Sequence, residues 1–326
     1  MPGTMITTMP EPNQQKLRRR LNLEWLRLSI RSVRWPGDDL FLLAAYRTYL
    51  KRDPDEAGLR HYNRHMKLKT MSRSSVVQSM VRSMEFRTLH GLPIHYQDAL
   101  HLARVILVKY FLPPAEMILD LGGALGDSPQ GTLLAMGYSH SPREITIIDL
   151  PPEERFDPAG TGVRAAPASP PELVTADGVA IRGLHRSMVD LSPIPDASID
   201  LVWSGESIEH VTEEDADVVC REVFRVLRTG GHFCLDTPNA ALTRLQCPDE
   251  LIHPEHKMEY RVADLRAKLE RCGFSILEAK AICPMPESLR TGLFDSDEII
   301  RNVYITDNVE EGYLFYLKAV KPTAGA

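Results

Sequence analysis

The sequence has no apolar run near the roughly 20 residues that a bilayer-spanning helix requires. Its first residues, MPGTMITTMPEPNQQ, lack the charged start and apolar core of a secretory signal. Cysteine is sparse: Cys220, Cys234, Cys247, Cys272 and Cys283 are scattered, with no Cys-x-x-Cys among them. That usage fits reduced thiols in a cytoplasmic protein. Positive charge is in deficit, with a net charge of −6, which argues against a whole protein built to coat nucleic acid. No internal repeat is present. What remains is 326 residues, 43% of them hydrophobic, enough for one large domain and a smaller one.

Residues 1–37 read as a disordered leader followed by a basic amphipathic helix. From Lys16 to Trp35 there are seven basic residues and one acid, and Leu23, Leu26, Ile30 and Val33 make a helical stripe. Such a helix lies either on an anionic membrane surface or on its own protein with its arginines in water. After the break at Trp35-Pro36-Gly37 comes a helical stretch over about 38–92. Ser72 is placed to cap one of its helices, with Val76, Val77, Met80 and Val81 facing inward. Tyr46, Leu50, Arg52, Pro54, Asp55, Gly58, Leu59, Ser72, Arg73, Ser83, Glu85 and Phe86 form a spaced pattern. The pattern resembles a small bacterial helical domain of unknown function. That family usually has Gly where Lys51 stands and Trp where Tyr62 stands. It often accompanies glycan-modifying or surface-layer proteins, which implies a docking module or a plain structural cap.

Over 93–326 the pattern changes. EMILDLGG, EITIIDLPP, IDLVWSG and GHFCLDTPN are short apolar runs closed by Gly or Pro, with helical stretches between them. This predicts an α/β fold with a mostly parallel sheet covered on both faces. FSILEAKAI and GYLFYLKAVK read as two further strands, with an inserted helix or lid between them. In ILDLGGALGDS, Asp120 ends a strand and Gly122, Gly123 and Gly126 follow. Glycines there permit a tight turn and a close backbone approach to a ligand, although the fingerprint Gly-x-Gly-x-x-Gly is absent. Asp149 stands 23 residues after Gly126, where an acid ending the second strand can take both hydroxyls of a ribose.

The segment IDLVWSGESIEHVTEEDADVVCREVFRVLRTGGHFCLDTPN resembles the class I S-adenosylmethionine-dependent methyltransferases. The features that match are Asp200-Leu201-Val202, the Glu209-His210-Val211 after it, and Arg225-Val226-Leu227-x-x-Gly230-Gly231. Thr212 with Asp215 reads as a helix cap, Val219, Val223, Val226 and Leu227 as a buried face, and Gly230-Gly231 as the helix end. The resemblance implies a Rossmann-like sheet with an antiparallel last strand, and S-adenosyl-L-methionine as cofactor. Asp120 and the glycine turn then face its amino-acid part. Asp149 takes the ribose and Met188 packs on the adenine, with Leu150 and Ser204 as further cofactor-binding candidates. Many members have an acid where Ser187 stands, with Asp190 as the nearest substitute, and Ala124 replaces a common glycine.

SGESIEHV holds Glu206, Glu209 and His210 at offsets that share one face if the segment is a helical turn. In this fold that loop lies beside the transferring methyl group. Glu-x-x-Glu-His resembles two metal-dependent branches, the ubiquinone-biosynthesis O-methyltransferases and the small-RNA 2′-O-methyltransferases. The second implies a further ligand after Thr237-Pro238-Asn239. His256 matches it, with Glu259-Tyr260 behind, and His253 is a second choice. Glu206, Glu209, His210 and His256 are thus candidate ligands for Mg²⁺ or Mn²⁺. His210, with Glu209, is also the candidate metal-free base or orienter. A third reading gives the cluster no catalytic role.

These readings lead to one expected activity, O-methylation of a hydroxyl on a sugar or glycan in polysaccharide biosynthesis. A small-molecule hydroxyl, an RNA 2′-hydroxyl and a non-catalytic cofactor-binding or docking protein are the alternatives. Nucleic acid is disfavoured by charge. The N-terminal helices are the expected contact for a protein or for the inner face of a membrane.

Overall fold

The computed structural model describes residues 37–67, 69, 71–123, 130–151, 154, 173–175 and 178–323. The basic helix expected at Lys16–Trp35 and the glycine Gly126 lie outside the described residues. The chain divides into two compact units, with the boundary between Ile94 and His95.

The first unit is helical. Helix α1 (Asp38–Ala45) runs on into a π-turn at Tyr46–Leu50, followed by α2 (Glu56–Lys67), α3 (Arg73–Arg82) and α4 (Met84–Leu89). The hydroxyls of Ser72 and Ser83 accept the N–H groups of Ser75 and Phe86 and so cap α3 and α4. Phe41, Leu42, Tyr49, Val76, Val77, Met80 and Phe86 build the core, with Val81 at its edge, as the spacing predicts. The patterned polar residues meet locally. Arg52 makes two bonds to Glu85, at 2.6 and 3.0 Å, and one to Asp55 at 3.0 Å. Asp55 in turn accepts the N–H of Gly58 at 2.7 Å. A Cβ on Gly58 would lie 2.0 Å from the Tyr46 hydroxyl, so glycine is required for that approach. Lys51 ends the π-turn at φ 57, a left-handed position, which is why glycine suits this place in the pattern.

The second unit opens with α5 (Tyr96–Tyr110). The elements that follow are β1 (Met117–Leu121), α6 (Gly131–Ala135), β2 (Glu144–Asp149), β3 (Leu173–Val174), β4 (Ala180–His185), β5 (Ile199–Gly205), α7 (Glu213–Val226), β6 (Leu227–Pro238), α8 (Ala240–Gln246), α9 (Val262–Arg271), β7 (Ser275–Pro284), α10 (Pro286–Thr291), α11 (Ser296–Arg301), β8 (Ile305–Thr306) and β9 (Gly312–Val320). The described strands form one sheet in the order β3-β4-β2-β1-β5-β6-β9-β7-β8. Strands β4, β2, β1, β5 and β6 are parallel, whereas β9 inserts antiparallel between β6 and β7. This is the Rossmann-like class I methyltransferase sheet.

The six strands read from sequence are all present, and the stretch between β7 and β9 is helical, with α10 and α11 followed by the short β8. Strands β3 and β4 were not among the six. Along β4 only Ile181 is fully buried, and Arg182, Gly183 and His185 break the apolar run that marks a central strand. Thr212 caps α7 through the N–H of Asp215, and Val219, Val223, Val226 and Leu227 are fully buried. That helix stops at Val226, earlier than the expected end at Gly230-Gly231. Leu227 already pairs with Ile199, and His232 with Leu201, so the residues between them loop out of β6. Gly230, at φ 77, makes the turn of that loop.

Candidate functional site

Leu121 on β1 is level with Ile148 on β2 and with Ser204 on β5, so three strands end along one edge. Gly122 follows at φ 76 and donates its N–H to the Ile148 carbonyl at 2.8 Å. A Cβ on Gly122 would stand 2.7 Å from Ser207 Cβ, and one on Gly123 would stand 2.5 Å from Asp120 Oδ2. Both glycines are therefore needed for the turn to close. Beyond the edge lies a cleft of about 710 Å³, a size suited to a nucleotide-like ligand. Gly122, Asp149, Leu150, Ser187 and Met188 line one part of it, and Glu206, His210, Glu255 and Lys257 line another.

Asp120 lies beneath this wall, 1% exposed, and its Oδ2 has no hydrogen-bond partner among the described residues. Burial, then the charge of Asp149, pushes its pKa up to about 7, against the pull of Arg104. A buried oxygen without a donor beside a glycine cradle fits the ammonium of an amino-acid cofactor. Ser204 is fully buried, its hydroxyl 2.6 Å from that of Ser207, and is not on the cleft wall. Asp190 is also off the wall. It accepts the Ser192 N–H and pairs with Arg186, which makes it a turn cap.

The SGESIEHV segment is not one helical turn, so the condition for a shared face is not met. Glu206 sits at φ 48, and the short 3₁₀ turn covers only Ile208–His210. Arg104 on α5, a residue the sequence reading passed over, accounts for the difference. Its guanidinium grips Asp236 through two bonds, at 2.6 and 3.1 Å, and pairs with Glu206 at 2.6 Å. The Glu206 N–H bonds the Asp236 carbonyl and carboxylate, at 2.9 and 3.0 Å. The strained backbone is thereby held from both ends. The signal in the sequence was a lone arginine inside the apolar run ALHLARVILV.

Glu209, His210 and His256 do come together. One potential ligand atom from each lies within 4.8 Å of the others. The Glu209 carbonyl accepts the N–H groups of Lys257 and Met258, and Ala240 donates to the Tyr260 carbonyl, which delivers the 253–260 loop to the sheet edge. The rings of His210 and His256 are 5.1 Å apart, and His253 stands 6.2 Å from His210 and 5.4 Å from His256. Glu209 is fully buried. Its Oε2 accepts the Thr237 hydroxyl at 2.9 Å, and its Oε1 has no partner among the described residues. Burial, then Glu206, raises its pKa to about 8. Burial and the neighbouring His256 lower that of His210, despite Glu255. The donor chemistry, one buried carboxylate with an unpaired oxygen and two imidazoles, fits a divalent ion such as Mn²⁺ better than Mg²⁺, which prefers oxygen ligands. Glu206, tied to Arg104, is not brought into that group.

Residues 156–235 match the family profile "Methyltransferase domain", and residues 36–90 match the domain of unknown function DUF4214. A probable S-adenosylmethionine-dependent methyltransferase of Mycolicibacterium smegmatis is 39% identical over 92 residues, 28% of this chain and 34% of that protein. The 2-methyl-6-phytyl-1,4-hydroquinone methyltransferase of Synechocystis is 32% identical over 120 residues, 37% of this chain and 31% of that protein. The aligned region thus spans about a third of the length of these relatives. A solved Haloferax volcanii methyltransferase in complex with its Trm112 activator is 18% identical, with a TM-score of 0.46, 70% of this chain and 92% of that chain being covered. The profile and the curated relatives, together with the sheet order, mean that the chain carries a class I S-adenosylmethionine-dependent methyltransferase domain, preceded by a DUF4214 domain.

Proposed function

We propose that the chain is an O-methyltransferase that transfers the methyl of S-adenosylmethionine to a hydroxyl of a sugar or glycan, with a divalent ion held by Glu209, His210 and His256. The observation that carries the reading is one cleft whose wall joins the Gly122–Asp149–Met188 surface to His210, next to a buried carboxylate with an oxygen that has no partner among the described residues. When bound, the cofactor supplies an electrophilic methyl on a sulfonium, and the ion supplies a Lewis acid that lowers the pKa of an acceptor hydroxyl. The chain's own part is orientation and proton handling. Asp120 and Gly122 hold the amino-acid end of the cofactor, Asp149 the ribose, and Met188 the adenine. His210, whose pKa burial and then the neighbouring His256 lower, offers a lone pair to a cation or to a hydroxyl proton. A 1,2-diol, common in sugars, offers two neighbouring oxygens to one ion.

A second reading, a small-molecule acceptor, is favoured by the similarity to a hydroquinone methyltransferase. Labelled S-adenosylmethionine offered with nucleotide sugars, lipid-linked glycans, hydroquinones and short RNAs separates these acceptors. The expected outcome is transfer to a sugar hydroxyl that stops in chelator, returns with Mn²⁺ and is lost in Glu209→Ala and His256→Ala. Full activity in chelator would end the metal part. A folded protein that binds no S-adenosylmethionine would end the enzyme reading.

A further inference from the structure

His256 reaches the ligand group from a loop, and its ring is held by a neighbour three residues on. Its Nδ1 lies 3.2 Å from Glu259 Oε1, and the two side chains are 7% and 0% exposed. Glu259 is itself fixed from two further sides. The Thr243 hydroxyl of α8 donates to its Oε2 at 2.5 Å, and the Ile252 N–H donates to its Oε1 at 2.8 Å. Both Glu259 oxygens thus already accept from other groups, so in the His256 contact the carboxylate is the acceptor and the imidazole Nδ1 the donor.

We propose that Glu259 is a positioning residue: it accepts the Nδ1 proton of His256, fixes the ring, and leaves Nε2 as the nitrogen available to a cation shared with Glu209 and His210. A carboxylate behind a histidine ligand selects the tautomer and makes the free nitrogen more basic. The inference rests on the metal reading above for its consequence, but not for its geometry. An apolar side chain would fill the same space without drawing three donors onto one carboxylate.

Two measurements on the full chain test it. In the first, two-bond ¹⁵N–¹H correlation spectra of the metal-free protein read the His256 ring, assigned by its loss in His256→Gln. The expected spectrum is that of a neutral ring protonated at Nδ1. A ring protonated at Nε2, or an unbiased exchange between tautomers, overturns the proposal. In the second, Mn²⁺ is titrated and followed by electron paramagnetic resonance. Glu259→Ala is expected to weaken binding about 10- to 100-fold, and Glu259→Gln, which keeps an acceptor oxygen and the side-chain volume, to weaken it less. Unchanged affinity in Glu259→Ala, with wild-type binding intact, overturns it. If Glu259→Ala fails to fold, the same comparison is made with Glu259→Gln. If the wild type binds no Mn²⁺, the metal reading fails, and the tautomer spectrum alone decides the role of Glu259.

Discussion

Asp120 concentrates the chemistry of the proposed cofactor edge in one side chain. Its pKa in the folded protein is about 7, above the ordinary 3.8. Between those values the folded protein holds a proton that the unfolded chain has released. Stability of the cofactor-free protein therefore falls as pH rises through that window. Asp120→Asn is expected to raise the melting temperature at pH 8, by the equivalent of roughly 1–3 kcal/mol, and to leave it unchanged near pH 4. A melting curve against pH for both proteins checks this. A cationic cofactor group favours the ionised form, so wild-type affinity should weaken about tenfold per pH unit below 7, as calorimetry would show. Asp120 stands out in the sequence because it ends an apolar run before glycines. The same logic could not foresee that Arg104 draws Glu206 away from His210. That pairing joins residues 102 positions apart, and a spacing rule reads only neighbours.

At the scale of elements, what the sequence revealed depended on local signals. The caps at Ser72, Ser83 and Thr212 each appear as a hydroxyl three residues before the N–H it accepts, although only Ser72 and Thr212 were singled out. Strand β4 was invisible because its neighbours, rather than its own residues, hold it in the sheet. Its whole length pairs with β2, from Glu144↔Ala180 to Asp149↔His185. Lys51 offers a test of element-scale strain. A non-glycine residue in the left-handed region costs on the order of 1 kcal/mol, part of which the extra freedom of unfolded glycine offsets. Lys51→Gly is therefore expected to stabilise the helical unit by about 0.5 kcal/mol, measured by denaturant unfolding. A loss of stability would mean that the Lys51 side chain contributes more than its backbone costs.

The molecule as a whole divides at Ile94/His95, and each unit has a core of its own. The α/β unit buries Leu119, Leu121, Val202, Phe233, Leu265 and Phe315 together, and the cleft belongs to it entirely. A fragment beginning at His95 is expected to fold cooperatively and to bind S-adenosylmethionine as the full chain does, by thermal melting and equilibrium dialysis. A fragment that is unfolded, or that binds much more weakly, would show that the helical unit is needed for the site.

Strand β9 sets the order in which this sheet can be completed. It lies between β6 and β7, yet it follows both in the chain. While the protein is being synthesised, β6 and β7 exist before the strand that joins them. Their facing edges, with the apolar residues Phe233, Leu235 and Ile282, stay unpaired until Gly312–Val320 has left the ribosome. The proposed cofactor edge, built from β1, β2 and β5, is complete in sequence about a hundred residues earlier. A nascent chain of this protein thus acquires its glycine cradle before it can shield its sheet. The interval in which it is most exposed to edge-to-edge association is the last to close.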